Sequence, residues 1–436
     1  MSYVGSLLAL TAFTMSAKSL ALIAFTALAL PSLAATRLTY VMHGKNVQVI
    51  WPTSAFPLRY DVETKLAEVL PGGASAVDRA FALWALPDTV MSFQASGPSV
   101  STIAGYDKTN GITLSDSLMR DNGFLAMTTN WYDDNGNLTE GDIQIDRAVA
   151  TGGYNVEQTI AHEIGHLLGL DHSAVLSAVM YPFIGHGNTP IALDSDDRVA
   201  IASMYSRNDP ALSGATLRGR VSGDNGGIFA AQVVAVSDRG EAVATGLTDN
   251  SGEFLLTGLP AGKYRLYAEP LDGPVDSQNL AGVWRQAKLI SFPTSFFDGP
   301  AMQVENGRVY GNLAVSSAGT SALNPRWIGT SSGDRGDFSL STTPISVSAG
   351  QRITIAIAGD GFTSGMTTYE ILNPALRRVS DFRYASNYVY ATWDVAPNAD
   401  TSSAIVLVRS GNEMATLTGA LKIASVSSPP RRRLSK

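Results

Sequence analysis

The sequence predicts a multidomain chain, with an α+β unit in the first half followed by all-β sandwich domains. Three observations carry that expectation. Apolar residues recur at three-four spacing in helical segments before residue 208, and this pattern fades after it. Beyond residue 210, short alternating runs separated by Gly turns take over. The chain has 436 residues, 45% hydrophobic and only 16% charged, with 41 Gly. That length exceeds one ordinary core, and the composition fits β-rich extracellular modules.

The elements follow in order. Residues 58–62 and 124–129 read as strands, and residues 76–86 (AVDRAFALWAL) as an amphipathic helix that Pro87 ends. Asp134-Asn135-Gly136-Asn137 makes a turn between runs at 128–132 and 142–146. Helices are expected at 155–168 and at 194–205 (DSDDRVAIASMY), the latter with Asp or Ser to cap its start. After Asn208-Asp209-Pro210, runs at 217–221, 231–236, 253–256 and 264–268 are spaced like sandwich strands. A Gly/Ser/Pro-rich stretch at 316–344 leads to a second all-β set, with strands at 353–357 and 404–408. The expected units are 35–208, 213–272, a β-rich connection at 273–339, 340–425, and a solvated basic tail at 426–436 (ending PPRRRLSK).

Residues 19–30 (SLALIAFTALAL) follow Lys18 and precede Pro31-Ser32-Leu33-Ala34-Ala35. A basic residue, an apolar core and a small-residue end describe a secretory signal peptide over 1–34, cleaved near Ala34, and Met15 gives the more typical start. Secretion, or display at the cell surface, is the expected location. A net charge of −7 argues against nucleic acid as a partner. Without cysteine there are no disulfides and no thiolate metal sites, so any transition metal must use His and carboxylate.

Only five histidines exist, and three fall within His162-Glu163-Ile164-Gly165-His166-Leu167-Leu168-Gly169-Leu170-Asp171-His172. Helical residues four apart lie about 40° apart around the axis, so His162 and His166 share a face and can converge on one ion. Glu163 lies about 100° round, placed to hydrogen-bond a metal-bound water. Gly169 permits the left-handed turn that ends the helix and brings His172 back to the same ion. Three neutral nitrogens leave a fourth zinc position open for water, the arrangement of a catalytic site. Chance yields this pattern on the order of once per million chains of this composition, so coincidence is set aside.

The segment HExxHxxGxxH is identified as the signature of the metzincin zinc metalloproteases. Ser173 and Ala178-Val179-Met180-Tyr181-Pro182 narrow the resemblance to the matrixin branch, over roughly 45–207. The resemblance implies a twisted mixed sheet with three main helices. It also implies one catalytic zinc on His162, His166 and His172, Glu163 as general base, and Met180 as the methionine of the turn beneath the ligands. It places 123–129 as the edge strand above the cleft, with Leu125 and Ala126 meeting substrate and Tyr181, Pro182 and Phe183 lining the pocket beside the scissile bond. For Asp196 and Asp197 two readings stay open, a solvated helix start or buried acids tied to the methionine turn.

The chain also departs from the family pattern. Met127 and Gln144 stand at positions where animal relatives hold a second, structural zinc, so one zinc is expected. Calcium is left open, because Asp142 and Asp146 remain while Arg147-Ala148 replaces the acidic run that follows. Residues 217–268 resemble the carboxypeptidase regulatory-like (transthyretin-like) β-sandwich, and 340–424 are weakly similar to immunoglobulin-like bacterial surface domains. The expected function is a secreted zinc endopeptidase acting on protein or peptide substrates, with the β domains as candidates for cell-surface or matrix contact. The alternative is an adhesion or scaffold protein whose domain binds zinc without hydrolysis, and the intact Glu163 weighs against it.

Overall fold

The structure is a computed structural model that describes residues 36–99, 104–187, 191–208, 214–288, 290–331, 337–385 and 387–425. The expected signal peptide (1–34) and basic tail (426–436) lie outside the described residues.

The N-terminal unit begins with a hairpin of β1 (Thr39–Met42) and β2 (Lys45–Gln48). Its main sheet holds β3 (Leu58–Glu63), β4 (Phe93–Ser99), β5 (Gly111–Ser115), β6 (Ala126–Tyr132) and β7 (Leu138–Asp146), in the spatial order β4-β3-β5-β7-β6. Neighbours run parallel except β6, an edge strand antiparallel to β7. Parallel pairs need crossovers, and helices supply them. Three short helices, α1 (Thr64–Val69), α3 (Leu118–Asn122) and α4 (Arg147–Thr151), trim the strand ends. The long ones are α2 (Ala74–Trp84), α5 (Val156–Leu167) and α6 (Ser195–Tyr205).

Sequence dictates each long helix locally. In α2, Ala76, Ala80 and Trp84 stack on one face with Val77 and Phe81 beside them, and all five are buried. Full burial of side chains like Phe81 contributes roughly 1.5–3 kcal/mol each. Asn155 caps α5 by accepting from the Gln158 amide at 3.1 Å. Asp194 and Asp197 form a reciprocal capping box at the start of α6.

Two β-sandwiches follow. In the first, Gln232–Ser237 pairs with Ala242–Leu247 and Gly262–Glu269, while Ala215–Gly223 lies between Glu253–Leu259 and a parallel Val309–Ser316. In the second, Arg352–Asp360 lies between Asn324–Ser331 and Tyr388–Val395, facing a sheet built on Ser402–Ser410 and Glu413–Ala424. The 273–339 connection expected from the sequence is therefore divided. Strands Met302–Val304 and Val309–Ser316 complete the first sandwich, and Asn324–Ser331 opens the second. Two- and three-residue strands such as Ser295–Phe296 and Met302–Val304 are too short to show an alternating pattern.

The units share cores. Helix α6 sends Ile201 and Tyr205 into the N-terminal core and Val199 into the first sandwich. Val175, Ala178, Val236, Tyr267 and Ile405 form a cluster that draws on all three units. Near that junction Glu269 is buried, accepting from Gln232 Nε2 (2.5 Å), Thr418 Oγ1 (2.8 Å) and Thr416 Oγ1. Burial pushes its carboxyl from 4.5 to about 7. A carboxyl whose folded pKa is raised stabilises the fold below its unfolded pKa, and that contribution is lost as pH rises through about 7. A shift of this size corresponds to roughly 3 kcal/mol. Glu269→Gln is therefore expected to flatten part of the decline in urea midpoint between pH 5 and pH 8. Parallel slopes for variant and parent would contradict it.

Candidate active site

The site is built on the end of α5. A helix leaves its last carbonyls without partners, and here each one is claimed. The Gly165 carbonyl accepts from the Leu170 amide and that of His166 from the Gly169 amide. Asn130 Nδ2 also reaches the His166 carbonyl (2.8 Å), Trp51 Nε1 that of Leu167 (2.8 Å), and Tyr205 Oη that of Leu168 (2.6 Å). Strand β6, the segment after the first hairpin and α6 thereby fix the point where the chain reverses. Gly169 sits there at φ +92°, a conformation that favours glycine.

The reversal delivers His172. The Nε2 atoms of His162 and His166 lie 3.1 Å apart, and those of His166 and His172 lie 3.2 Å apart. Each ring's other nitrogen faces a carbonyl, with His162 Nδ1 on Val179 (2.7 Å), His166 Nδ1 on Leu170 (2.9 Å) and His172 Nδ1 on Asn279. A carbonyl can only accept, so each Nδ1 carries the hydrogen and each Nε2 turns its lone pair inward. Burial, with the neighbouring rings, pushes His162 well below the usual imidazole value and His166 down to about 3, so both are neutral. Converging lone pairs repel unless a cation sits between them. Tetrahedral ligands about 2.0–2.1 Å from zinc stand about 3.3 Å from one another, close to the separations here. The residues fit a zinc ion. Among the described residues, these three histidines are the one group of three or more His or carboxylate side chains close enough to hold a metal.

Glu163, next to His162 on α5, is fully buried. Its Oε2 accepts from Thr128 Oγ1 (2.6 Å), while Oε1 has no hydrogen-bond partner among the described residues. Burial raises its carboxyl to about 8, against the lowering effect of Thr128. A buried carboxyl oxygen left without a partner is costly, which makes Glu163 a candidate functional residue.

Met180 is buried beneath the helix, its Sδ overlapping the place a Cβ would take on Gly165. Gly165, at a position the motif leaves open, is thus a packing requirement. Asp197 holds the turn, accepting from the amides of Val179 (2.7 Å) and Met180 (3.2 Å). Asp196 accepts from Ser173 Oγ (2.8 Å) and from the Thr245 amide and hydroxyl of the first sandwich (2.8 and 2.9 Å). Both acids are buried, which decides between the two readings open at Asp196 and Asp197.

The remaining expected residues are not on an open wall. Leu125 and Ala126 are fully buried in the N-terminal core. Tyr181 and Phe183 pack into the core of the second sandwich, where Tyr181 Oη donates to the Thr342 carbonyl (2.5 Å), and Pro182 is buried between them. A resemblance confined to one domain carries no information about a neighbour that docks on it. Asp142 and Asp146, left open for calcium, face backbone amides, as does the nearby Glu140. Asp142 accepts from Gly105 and Gly111 (both 2.8 Å), Glu140 from Asp107 (2.9 Å), and Asp146 from Met119 (3.0 Å) and Ala148 (2.8 Å). Met127 and Gln144 are partners across β6 and β7.

Sequence reasoning missed Thr128, Asp171 and Asn279. Thr128 sits at an inward position of β6 that any buried small residue could fill, and Asn279 acts through its backbone.

A mixed sheet with an antiparallel edge, a helix bearing two histidines and a glutamate, and a glycine turn returning a third histidine above a buried methionine define a metzincin-type domain. Residues 73–206 match the matrixin family model, and this part of the chain is a matrixin domain. The chain is 31% identical over 213 residues to Metalloendoproteinase 2-MMP of Arabidopsis thaliana, covering 44% of this chain and 53% of that protein. It is 31% identical over 176 residues to karilysin of Tannerella forsythia, covering 35% and 36%. The hatching enzyme of Paracentrotus lividus matches at 41% over 88 residues, covering 20% and 14%. The chain thus spans about half the length, or less, of these relatives.

Proposed function

We propose that this chain is a secreted zinc-dependent endopeptidase that hydrolyses internal peptide bonds of extracellular proteins or peptides. The observation that carries the reading is the convergence of three histidine Nε2 atoms, each ring's Nδ1 facing a carbonyl, on the helix that also carries the buried Glu163. The metalloendoproteinases among its relatives support it, and the apolar run at 19–30 supports export.

His162, His166 and His172 would hold a zinc ion, which would supply Lewis acidity toward a water and the scissile carbonyl. The chain's own residues do the rest. Glu163 Oε1 receives the proton of the attacking water and passes it to the leaving amine. Thr128 Oγ1 restrains Oε2, so only one carboxylate oxygen is left to move a proton. The unpaired edge of β6 receives the peptide as an added strand through backbone hydrogen bonds. In this reading Leu125 and Ala126 contribute main-chain groups.

The test is cleavage of an unstructured protein by the full chain before and after chelation. Activity is expected to vanish with chelator and return with one equivalent of zinc. Cleavage that survives complete removal of metal would overturn the reading. Bound zinc without cleavage of any added substrate would favour the adhesion or scaffold alternative.

A further inference from the structure

The acceptors for His162 and His166 lie within the matrixin domain, at Val179 and Leu170. The acceptor for His172 does not. It is the carbonyl of Asn279, 107 residues further along the chain. Asn279 belongs to a strap, residues 276–287, that leaves the first sandwich after Gly262–Glu269 and returns to it at Ser295–Phe296.

The strap is held on both sides. Leu280 and Trp284 pack with Leu247 and Leu271 of the sandwich, while Ala281 enters the core of the N-terminal unit. The Val283 amide donates to the Thr39 carbonyl at 3.0 Å. The Ala281 amide donates to Asp171 Oδ2 at 2.9 Å, and Asp171 Oδ1 accepts from the His172 amide at 2.8 Å. The strap therefore fixes His172 twice, at the ring and at the backbone. Its own turn is set by a reciprocal cap, in which Asp276 Oδ1 accepts from the Gln278 amide (2.8 Å) and Asn279 Oδ1 from the Asp276 amide (3.0 Å).

We propose that Asp276 and Asn279 are positioning residues for the third metal ligand, so that the zinc centre is completed by a segment of the first β-sandwich. This rests on the zinc reading above. An acceptor at Nδ1 fixes the tautomer and the ring plane and makes Nε2 a stronger donor, and losing such a partner commonly weakens metal binding 10–100-fold. The first sandwich is in this sense part of the metal site.

The experiment uses the full chain and measures zinc affinity by competition with a chromogenic chelator, together with the visible absorption of the cobalt-substituted protein. Asp276→Ala and Asn279→Ala each remove one half of the cap, and Asp276→Ser restores an oxygen that can accept from the Gln278 amide. The expected result is a 10–100-fold weaker zinc affinity and an altered cobalt spectrum in both alanine variants. Asp276→Ser is expected to return both properties close to those of the parent. Parental affinity and spectrum in both alanine variants would overturn the proposal, even if those variants unfold more easily. So would Asp276→Ser binding as weakly as Asp276→Ala. A parent chain that binds no zinc would defeat the zinc reading itself, which separates the two failures.

Discussion

Glu163→Gln is expected to lower peptide cleavage by roughly 10²–10⁴-fold, the usual contribution of a general acid–base group. Zinc stoichiometry should be unchanged, because the carboxylate is not among the three ligands. The substitution keeps the shape of the side chain, and the amide oxygen can still accept from Thr128 Oγ1, now at 2.6 Å from Oε2. What it removes is the ability of Oε1 to take a proton. Because burial raises the Glu163 carboxyl to about 8, the metal-free fold holds a proton there at neutral pH that the unfolded chain releases, which costs stability. The neutral amide avoids that cost, so the metal-free variant should unfold no earlier than the parent. Cleavage rates, zinc content and a melting curve decide the matter together. A variant within a few-fold of parental activity would remove Glu163 from the proposed role.

Gly169→Ala is expected to be among the most damaging single substitutions in the chain. At φ +92° an L side chain is strained by about 1–2 kcal/mol. The added Cβ would also overlap the carbonyl oxygen of Val49 and press on Met204 Cε at 3.2 Å. Backbone cannot step aside as a flexible side chain can. The turn also carries the Leu38 amide on the Gly169 carbonyl, so the hairpin and the histidine move together. The loss should reach several kcal/mol, well above the roughly 1 kcal/mol of an average substitution, and zinc binding should fail with it. Gly123→Ala is the control. Gly123 has φ +74° with nothing within 4 Å of the added atom, so only the conformational strain applies. Equal melting temperatures for the two variants would show that the Val49 contact carries no weight.

Much of the architecture could be read from local pattern. Helices expected at 76–86, 155–168 and 194–205 are found as Ala74–Trp84, Val156–Leu167 and Ser195–Tyr205. The strands expected at 217–221, 264–268 and 353–357 lie inside Ala215–Gly223, Gly262–Glu269 and Arg352–Asp360. Periodicity and caps act within a few residues, so a sequence displays them. The histidine motif was legible for the same reason, since its geometry is that of one helix and one turn. What escaped notice depends on distant chain segments. Val309–Ser316 joins the first sandwich by pairing with a strand some ninety residues earlier, and nothing in its own composition announces that partner. The grip of Asn279 on His172 passes through a main-chain oxygen, which every residue possesses. The docking of Tyr181 on Thr342 likewise depends on a surface that forms only after two units have folded.

The carboxylate of Asp196 bears on how chains of this kind can be recombined. One oxygen serves Ser173 inside the matrixin domain, and the other is satisfied only by the amide and hydroxyl of Thr245 across the seam. Exchange of the first sandwich for an unrelated module would strip Oδ1 of both donors while leaving it buried, a penalty of about 1–3 kcal/mol, and would take the strap away from His172 as well. A viable crossover between these two units must therefore alter position 196 at the same time. The shared carboxylate thus couples the matrixin domain to the first sandwich, so that neither can be exchanged without the other.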